Sequence, residues 1–164
     1  MTEYTLSSSA TDYTFTGLTP GYQYSIKIKA RNLVGDSDWT LPILPFAGIE
    51  PTRPNLITYV SSTRNTLSLT WPSLVGDDTG GTLTSPITIT SYDLYMDNGY
   101  NGDFKLIHSA PTTSFLVEYL TPGLMYRFRL KAQNSIGYES EFSTIQYMMA
   151  GTVPSAPGAP NLIS

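Results

Sequence analysis

The stretch Leu18-Thr19-Pro20-Gly21-Tyr22-Gln23-Tyr24-Ser25-Ile26-Lys27-Ile28-Lys29-Ala30-Arg31-Asn32 returns 102 residues later as Leu120-Thr121-Pro122-Gly123-Leu124-Met125-Tyr126-Arg127-Phe128-Arg129-Leu130-Lys131-Ala132-Gln133-Asn134. The correspondence continues through Gly35 and Gly137. In each copy the apolar positions alternate with polar ones: Tyr24, Ile26, Ile28 and Ala30 against Ser25, Lys27, Lys29 and Arg31, and Tyr126, Phe128, Leu130 and Ala132 against Arg127, Arg129, Lys131 and Gln133. A period of two puts one set in a core and the other in water, as in a half-buried β-strand. A second echo pairs Pro54-Asn55-Leu56-Ile57 with Pro160-Asn161-Leu162-Ile163. A repeat of about one hundred residues suits a complete small sandwich and is far longer than a solenoid unit, so each copy should fold around its own core.

Working outward, turn residues bound further strands at 55–61, 66–71, 88–96, 104–108, 113–120 and 142–149. Asn98-Gly99 and Asn101-Gly102 lie between two of them and supply the positive φ of a tight hairpin or of one longer loop. The expected fold class is all-β, an antiparallel sandwich.

Composition narrows the chemistry. Of 164 residues only 13% are charged, about half the usual share of roughly 25%, while twelve tyrosines, two tryptophans and six phenylalanines supply apolar surface with polar tips. A net charge of −4 opposes a phosphate backbone, so no nucleic-acid partner is expected. With no cysteine, thiolate metal sites, disulfides and cysteine nucleophiles are excluded, and the compartment stays open. Met1-Thr2-Glu3-Tyr4-Thr5 has neither a basic nor an apolar signal region, and Leu41-Pro42-Ile43-Leu44-Pro45-Phe46 is too short to span a bilayer, so no membrane insertion is expected of this segment.

Catalytic constellations have no foothold. The single histidine, His108, has no adjacent acid and reads as an exposed edge residue. No phosphate-loop or zinc-protease pattern occurs, and neither cofactor nor metal is expected. The loop Val75-Gly76-Asp77-Asp78-Thr79-Gly80-Gly81 gathers two carboxylates, but without the alternating acidic positions of a calcium loop.

Leu-x-Pro-Gly-x-x-Tyr at Leu18 to Tyr24 and at Leu120 to Tyr126, Trp71 in Thr66-Leu67-Ser68-Leu69-Thr70-Trp71-Pro72, and Ile89-Thr90-Ser91-Tyr92-Asp93-Leu94-Tyr95 together resemble the fibronectin type III family. In that family the first motif is a tyrosine corner, whose hydroxyl bonds backbone just upstream. The resemblance implies an immunoglobulin-like antiparallel β-sandwich of seven strands, with structural core roles for Leu18, Pro20, Tyr24, Trp71, Tyr92, Leu120, Pro122 and Tyr126. It also implies boundaries: residues 1–49 as the latter part of one module, strands C′ to G; 50–151 as a complete module; 152–164 as linker and first strand of another. Met1 aligns with Asp103 in this scheme. A half-sandwich exposes an open core face, so the chain is expected to be part of a longer polypeptide, or its first unit to be completed by another chain.

What the resemblance implies about function is a non-catalytic spacer and scaffold whose partners are neighbouring modules of the same polypeptide and other proteins, at a cell surface, in a matrix, or along a cytoskeletal or ciliary structure. The alternatives are an accessory module of a secreted carbohydrate-active enzyme and a receptor ectodomain. The candidate interaction surface is the basic stripe of Lys27, Lys29, Arg31, Arg127, Arg129 and Lys131, with Trp39 and Tyr138 near the loops that follow. Pairing of that stripe with Asp93, Asp97 and Tyr95 on the neighbouring strand is the competing account. The connectors Glu50-Pro51-Thr52-Arg53-Pro54 and Pro154-Ser155-Ala156-Pro157-Gly158-Ala159-Pro160 should be extended and semi-rigid.

Overall fold

A computed structural model describes residues 4–7 and 9–159. The Met1 alignment and the Pro160-Asn161-Leu162-Ile163 echo lie outside the described residues. Among the described residues seven strands form two antiparallel sheets: β1 (Thr58–Ser62), β2 (Leu67–Thr70) and β5 (Ser114–Val117) in the order β1-β2-β5, and β3 (Ile89–Met96), β4 (Lys105–Ala110), β6 (Met125–Asn134) and β7 (Gln146–Met149) in the order β4-β3-β6-β7. The sheets face each other across a core that includes Leu67, Leu69, Trp71, Leu94, Phe128 and Leu130. β6 supplies the deepest row: Tyr126, Phe128, Leu130 and Ala132 are buried, and the residues between them point to the outer face of the sheet. The period-two pattern that marks this strand in the sequence therefore sets the inward face of the whole sheet.

Tyr126 is held at the entry to β6 by a hydrogen bond from the Thr121 N–H to its hydroxyl oxygen, 2.9 Å. Thr19 N–H donates to Tyr24 in the same way, also at 2.9 Å, so both copies close the same corner. Tyr92 lies buried beside Trp71, and its hydroxyl accepts the Leu74 N–H at 2.7 Å.

Several expectations need correction. The strand expected over 142–149 is regular only in β7. Before it, the hydroxyls of Ser140 and Ser143 accept the Ala132 and Leu130 N–H groups at 2.9 Å each, while their own N–H groups return to the same residues' carbonyls. Side chains replace backbone acceptors there, and the ladder is interrupted. Ser37 and Thr40 do the same against Ala30 and Ile28 in the first copy. The strand expected to reach Leu120 stops at Val117, because Tyr119 turns the chain with a φ of 59°. Of the two readings open for the Asn-Gly pairs, the single longer loop is the one that forms, and in it the Asn98 side chain accepts the N–H groups of Tyr100 and Gly102. His108 is half-buried, with its ring 4.5 Å from Phe115 and 6.0 Å from Trp71, because β4 brings it to the open edge between the sheets.

Residues 21–47 fold back on themselves as a two-stranded ladder, with Tyr24 N–H to Pro45 O and Ile26 N–H to Ile43 O at 2.9 Å each. Only isolated bridges mark it, and the earlier strands expected in this unit are not formed among the described residues. Its inner face stays open. Leu18 is 38% exposed where its counterpart Leu120 is 5%, and Ile28 is 67% exposed where Leu130 is 0%. Leu18 is thus not a core residue here, for want of a facing sheet; Tyr24 and Pro20 are half-buried, and Pro122 is exposed on its turn.

The connector is fastened as well as stiff. Ile49 N–H donates to Gly80 O and Thr52 N–H to Asp78 O. The Thr52 hydroxyl donates to the Asp78 carboxylate at 3.0 Å, and the Asn134 amide donates to Ile49 O at 3.0 Å. Pro51 and Pro54 are buried.

Two substitutions measure the core. Trp71→Ala should lower unfolding stability by about 3–5 kcal/mol, since it empties a large buried site. Tyr126→Phe should cost about 1 kcal/mol, by removing one hydroxyl acceptor. Denaturant titration followed by tryptophan-independent circular dichroism checks both; equal losses would contradict this ranking.

Candidate interaction surface

The outward face of β6 presents Arg127, Arg129 and Lys131, and β3 lies beside it in a register that sets Asp93 opposite Lys131 and Tyr95 opposite Arg129. Little of this charge is free for a ligand. Arg127 Nε donates to the Asp97 carboxylate at 2.8 Å, its backbone N–H donates to the same carboxylate at 2.9 Å, and its Nη2 donates to Gly102 O at 2.6 Å. Asp97 has 0% side-chain exposure. Burial pushes its carboxyl up, but the two Arg127 donors and the Gly99 N–H outweigh that and hold it below the usual range.

Arg129 is held by ring faces instead of by carboxylates. Its guanidinium carbon lies 3.8 Å from the Phe142 ring centroid, 4.2 Å from Phe104 and 5.7 Å from Tyr95. Its Nε finds no hydrogen-bond partner among the described residues. A planar, weakly hydrated cation between aromatic faces is stabilised by their quadrupoles, a role a lysine would fill less well. Lys131 pairs with Glu139 at 2.5 Å and lies 5.6 Å from Phe142. Burial lowers its affinity for a proton, but Glu139, Tyr95 and Asp93 raise it further, so Lys131 stays protonated.

The expected cross-strand pairing therefore holds at Asp97 but not at Asp93, whose carboxylate accepts the Ser109 hydroxyl at 2.7 Å. Glu139, on the loop after β6, takes Lys131 instead. The first copy repeats this arrangement with Lys29 bonded to Asp36 at 2.8 Å and lying over the Trp39 ring at 4.8 Å. Arg31 grips the same carboxylate through Nε and Nη2. These cations hold the Asp36 carboxyl well below its ordinary range. Trp39 is thus the platform of Lys29, while Lys27 and Tyr138 are exposed.

One residue with a large role was not singled out from the sequence. Asn134 is buried; its amide donates to Ile49 O and Thr79 O, and its carbonyl oxygen accepts the N–H groups of Ile136 and Tyr138. The signal available was its match with Asn32, whose side-chain oxygen accepts the N–H groups of Val34 and Gly35. The acidic loop is a short 3-10 turn, Gly76–Thr79, whose Asp78 serves the connector. No group of three or more His, Asp or Glu residues that could hold a metal occurs among the described residues.

The family model of the fibronectin type III domain matches residues 1–45 and 51–147. The chain belongs to the fibronectin type III family. It is 29% identical over 153 residues to chicken fibronectin type-III domain-containing protein 3a, covering 92% of this chain and 12% of that protein. It is 34% identical over 115 residues to mouse fibronectin type III domain containing protein 3C1, covering 70% and 8%. It is also 29% identical to bovine receptor-type tyrosine-protein phosphatase F, covering 85% and 7%. The chain thus spans about an eighth or less of these relatives. Domains A168–A170 of titin share the fold at a TM-score of 0.57 and 23% identity, covering 76% of this chain and 39% of that one. A human fourth FNIII domain matches at 0.55 and 26%, covering 70% and 89%.

The stripe's internal bonding makes a prediction about pH. Asp97 has a folded pKa below its unfolded value of about 3.9, so its stabilisation is present above that pH and is lost as pH falls through the folded value. His108, whose proton affinity is lowered by burial and only partly restored by Asp93, stabilises the fold above about pH 6.5 and ceases to as pH falls through its folded value. Thermal melting should therefore decline in two limbs on acidification. His108→Gln should flatten the first limb and Asp97→Asn the second; an unchanged profile in either variant would contradict the assignment. Arg127→Ala should cost about 3–5 kcal/mol by leaving a buried carboxylate unpaired.

Proposed function

We propose that this chain is a non-catalytic spacer and interaction segment within a tandem array of fibronectin type III modules. In this reading residues 1–49 are the latter part of one module, 50–151 a complete module, and 152–164 the linker and first strand of another. The observation that carries it is the contrast between two copies of one hairpin. Phe128 and Leu130 are sealed beneath β1, β2 and β5, whereas among the described residues the matching Ile26 and Ile28 have no sheet over them and Ile28 is exposed. The open face fits strands equivalent to β1 and β2, and the free edge of the hairpin fits one equivalent to β3, all supplied by the same polypeptide.

The output of such a segment is geometry: reach, stiffness and the presentation of loops. Arg127, Arg129 and Lys131 serve the module's own cohesion, so the stripe is a clamp first and a ligand surface at most at its exposed end, Lys27. Support comes from the relatives, long proteins of which this chain covers a small part. No helix among the described residues is long and apolar enough to cross a membrane.

A dye that fluoresces on apolar surfaces tests the reading. It should bind the 164-residue chain at the Leu18–Ile28 face and be excluded once the preceding residues of the parent polypeptide are included. Undiminished binding in the longer chain would overturn the module boundaries. On a sulfated-glycan column at about 0.15 M salt, the chain should pass without retention; retention abolished by Lys27→Glu would favour ligand capture by the stripe.

A further inference from the structure

The junction between the two units is built around glycine. Gly21, at the corner of the first copy with a φ of 82°, meets Ser85 so closely that a Cβ there would collide with the Ser85 carbonyl oxygen. The Ser85 hydroxyl donates to Gly21 O at 2.7 Å. Gly48 has an ordinary φ, yet a Cβ on it would collide with the Cδ1 atoms of Ile87 and Ile136. Gly80, on the opposing loop, is closed in turn by the Ile49 carbonyl. The bottom of the first unit thus forms a socket from Gly21, Ala47 and Gly48, and the loop 80–87 of the next module fills it, with Ile136 at its rim.

The complete module carries the same socket at its own far end. Gly123 has a φ of 81°, and its N–H donates to Ala150 O as the Gly21 N–H does to Ala47 O. Gly151 follows Ala150 as Gly48 follows Ala47. Here nothing among the described residues stands within 4 Å of a Cβ at either glycine. Gly123 has a local reason to be glycine in its positive φ. Gly151 has none: its φ lies outside the left-handed region and no neighbour crowds it, so neither backbone nor packing within this module excludes a side chain. Its counterpart supplies the reason, because Gly48 lacks a side chain to admit two isoleucines of the following module.

We propose that Gly123 and Gly151, set against the buried Ala150, form an open docking socket for the loop equivalent to residues 80–87 of a further module of this kind, which closes it as Ser85 and Ile87 close the first. The occupant is specified by what the filled socket uses: a serine hydroxyl aimed at the corner carbonyl, a glycine-lined backbone approach, and an apolar pair over the Ala-Gly step. The sequence continues suitably, since Pro160-Asn161-Leu162-Ile163 repeats the segment that enters the complete module, nine residues after Gly151 against six after Gly48. The longer connector reaches at least as far, each residue spanning up to about 3.3 Å. Successive modules in the array would then share one docking geometry instead of swinging as loose beads. This inference rests on the tandem-array reading.

The test extends the full chain beyond Ile163 with a copy of its own residues 58–151, which recreates an entry segment and a complete module. Amide spectra and hydrogen exchange are recorded on the 164-residue and extended chains, with the strand amides of the appended copy compared with those of the resident module. Extension should shift the Gly123 and Gly151 amides and slow their exchange at least about 10-fold. Gly151→Val should undo both effects in the extended chain while leaving the melting of the 164-residue chain within about 2 °C, since the added side chain meets no described atom and the bond from the Ser62 hydroxyl goes to the Gly151 carbonyl, which the substitution keeps. Gly48→Val should release the resident junction in the same way. Unmoved Gly123 and Gly151 amides beside a folded appended copy, or an extended chain indifferent to Gly151→Val, would overturn the socket. The array reading fails separately, if the parent polypeptide continues past residue 164 with something other than such a module.

Discussion

The alternation along β6 is the constraint from which the rest of the module follows. Its inward row of Tyr126, Phe128, Leu130 and Ala132 is the floor of the core, and its outward row of Arg127, Arg129 and Lys131 is held by Asp97, three aromatic rings and Glu139. Both faces depend on one register. A slip of a single residue would bring cations into the core and put Phe128 in water. The Tyr126 hydroxyl at one end and the Asn134 side chain at the other fix that register where the strand begins and ends. The buried Asp97 charge ties it sideways to the loop after β3, because that carboxylate without Arg127 would be costly to keep ionised.

The fold was legible in the sequence because its information is local and periodic. Leu-x-Pro-Gly-x-x-Tyr announces the corner, period-two alternation gives β6, and repetition at about one hundred residues separates two units. What escaped reading depends on contacts between distant segments. Ser140 and Ser143 look like ordinary strand residues, and only the folded chain shows their hydroxyls standing in for carbonyls opposite Leu130 and Ala132. His108 reads as exposed from the sequence because an isolated histidine gives no sign of Trp71 and Phe115 closing around it. Glu139 displaced Asp93 as the partner of Lys131, since a loop after β6 can fold back over the strand in a way that register alone does not encode.

The same division explains the surface. A row of three cations suggests an acidic ligand when seen as sequence, but the neighbouring strand and the segment before β7 supply carboxylates and rings at matching intervals. Lys29 with Asp36 and Trp39 shows that the first copy uses the same device with different residues. Its hairpin retains these outward contacts although its inward face lies open. The two faces of the strand are thus built from separate sets of interactions, and the missing set is the one a facing sheet provides.

Native-state hydrogen exchange along the two matching strands tests the central claim of separately packed units most directly. The account predicts that amides of residues 126–134 exchange only through global unfolding of the complete module, while those of residues 24–32 exchange through a far cheaper, independent opening. A single shared opening free energy for both strands, lost together in denaturant, would contradict it.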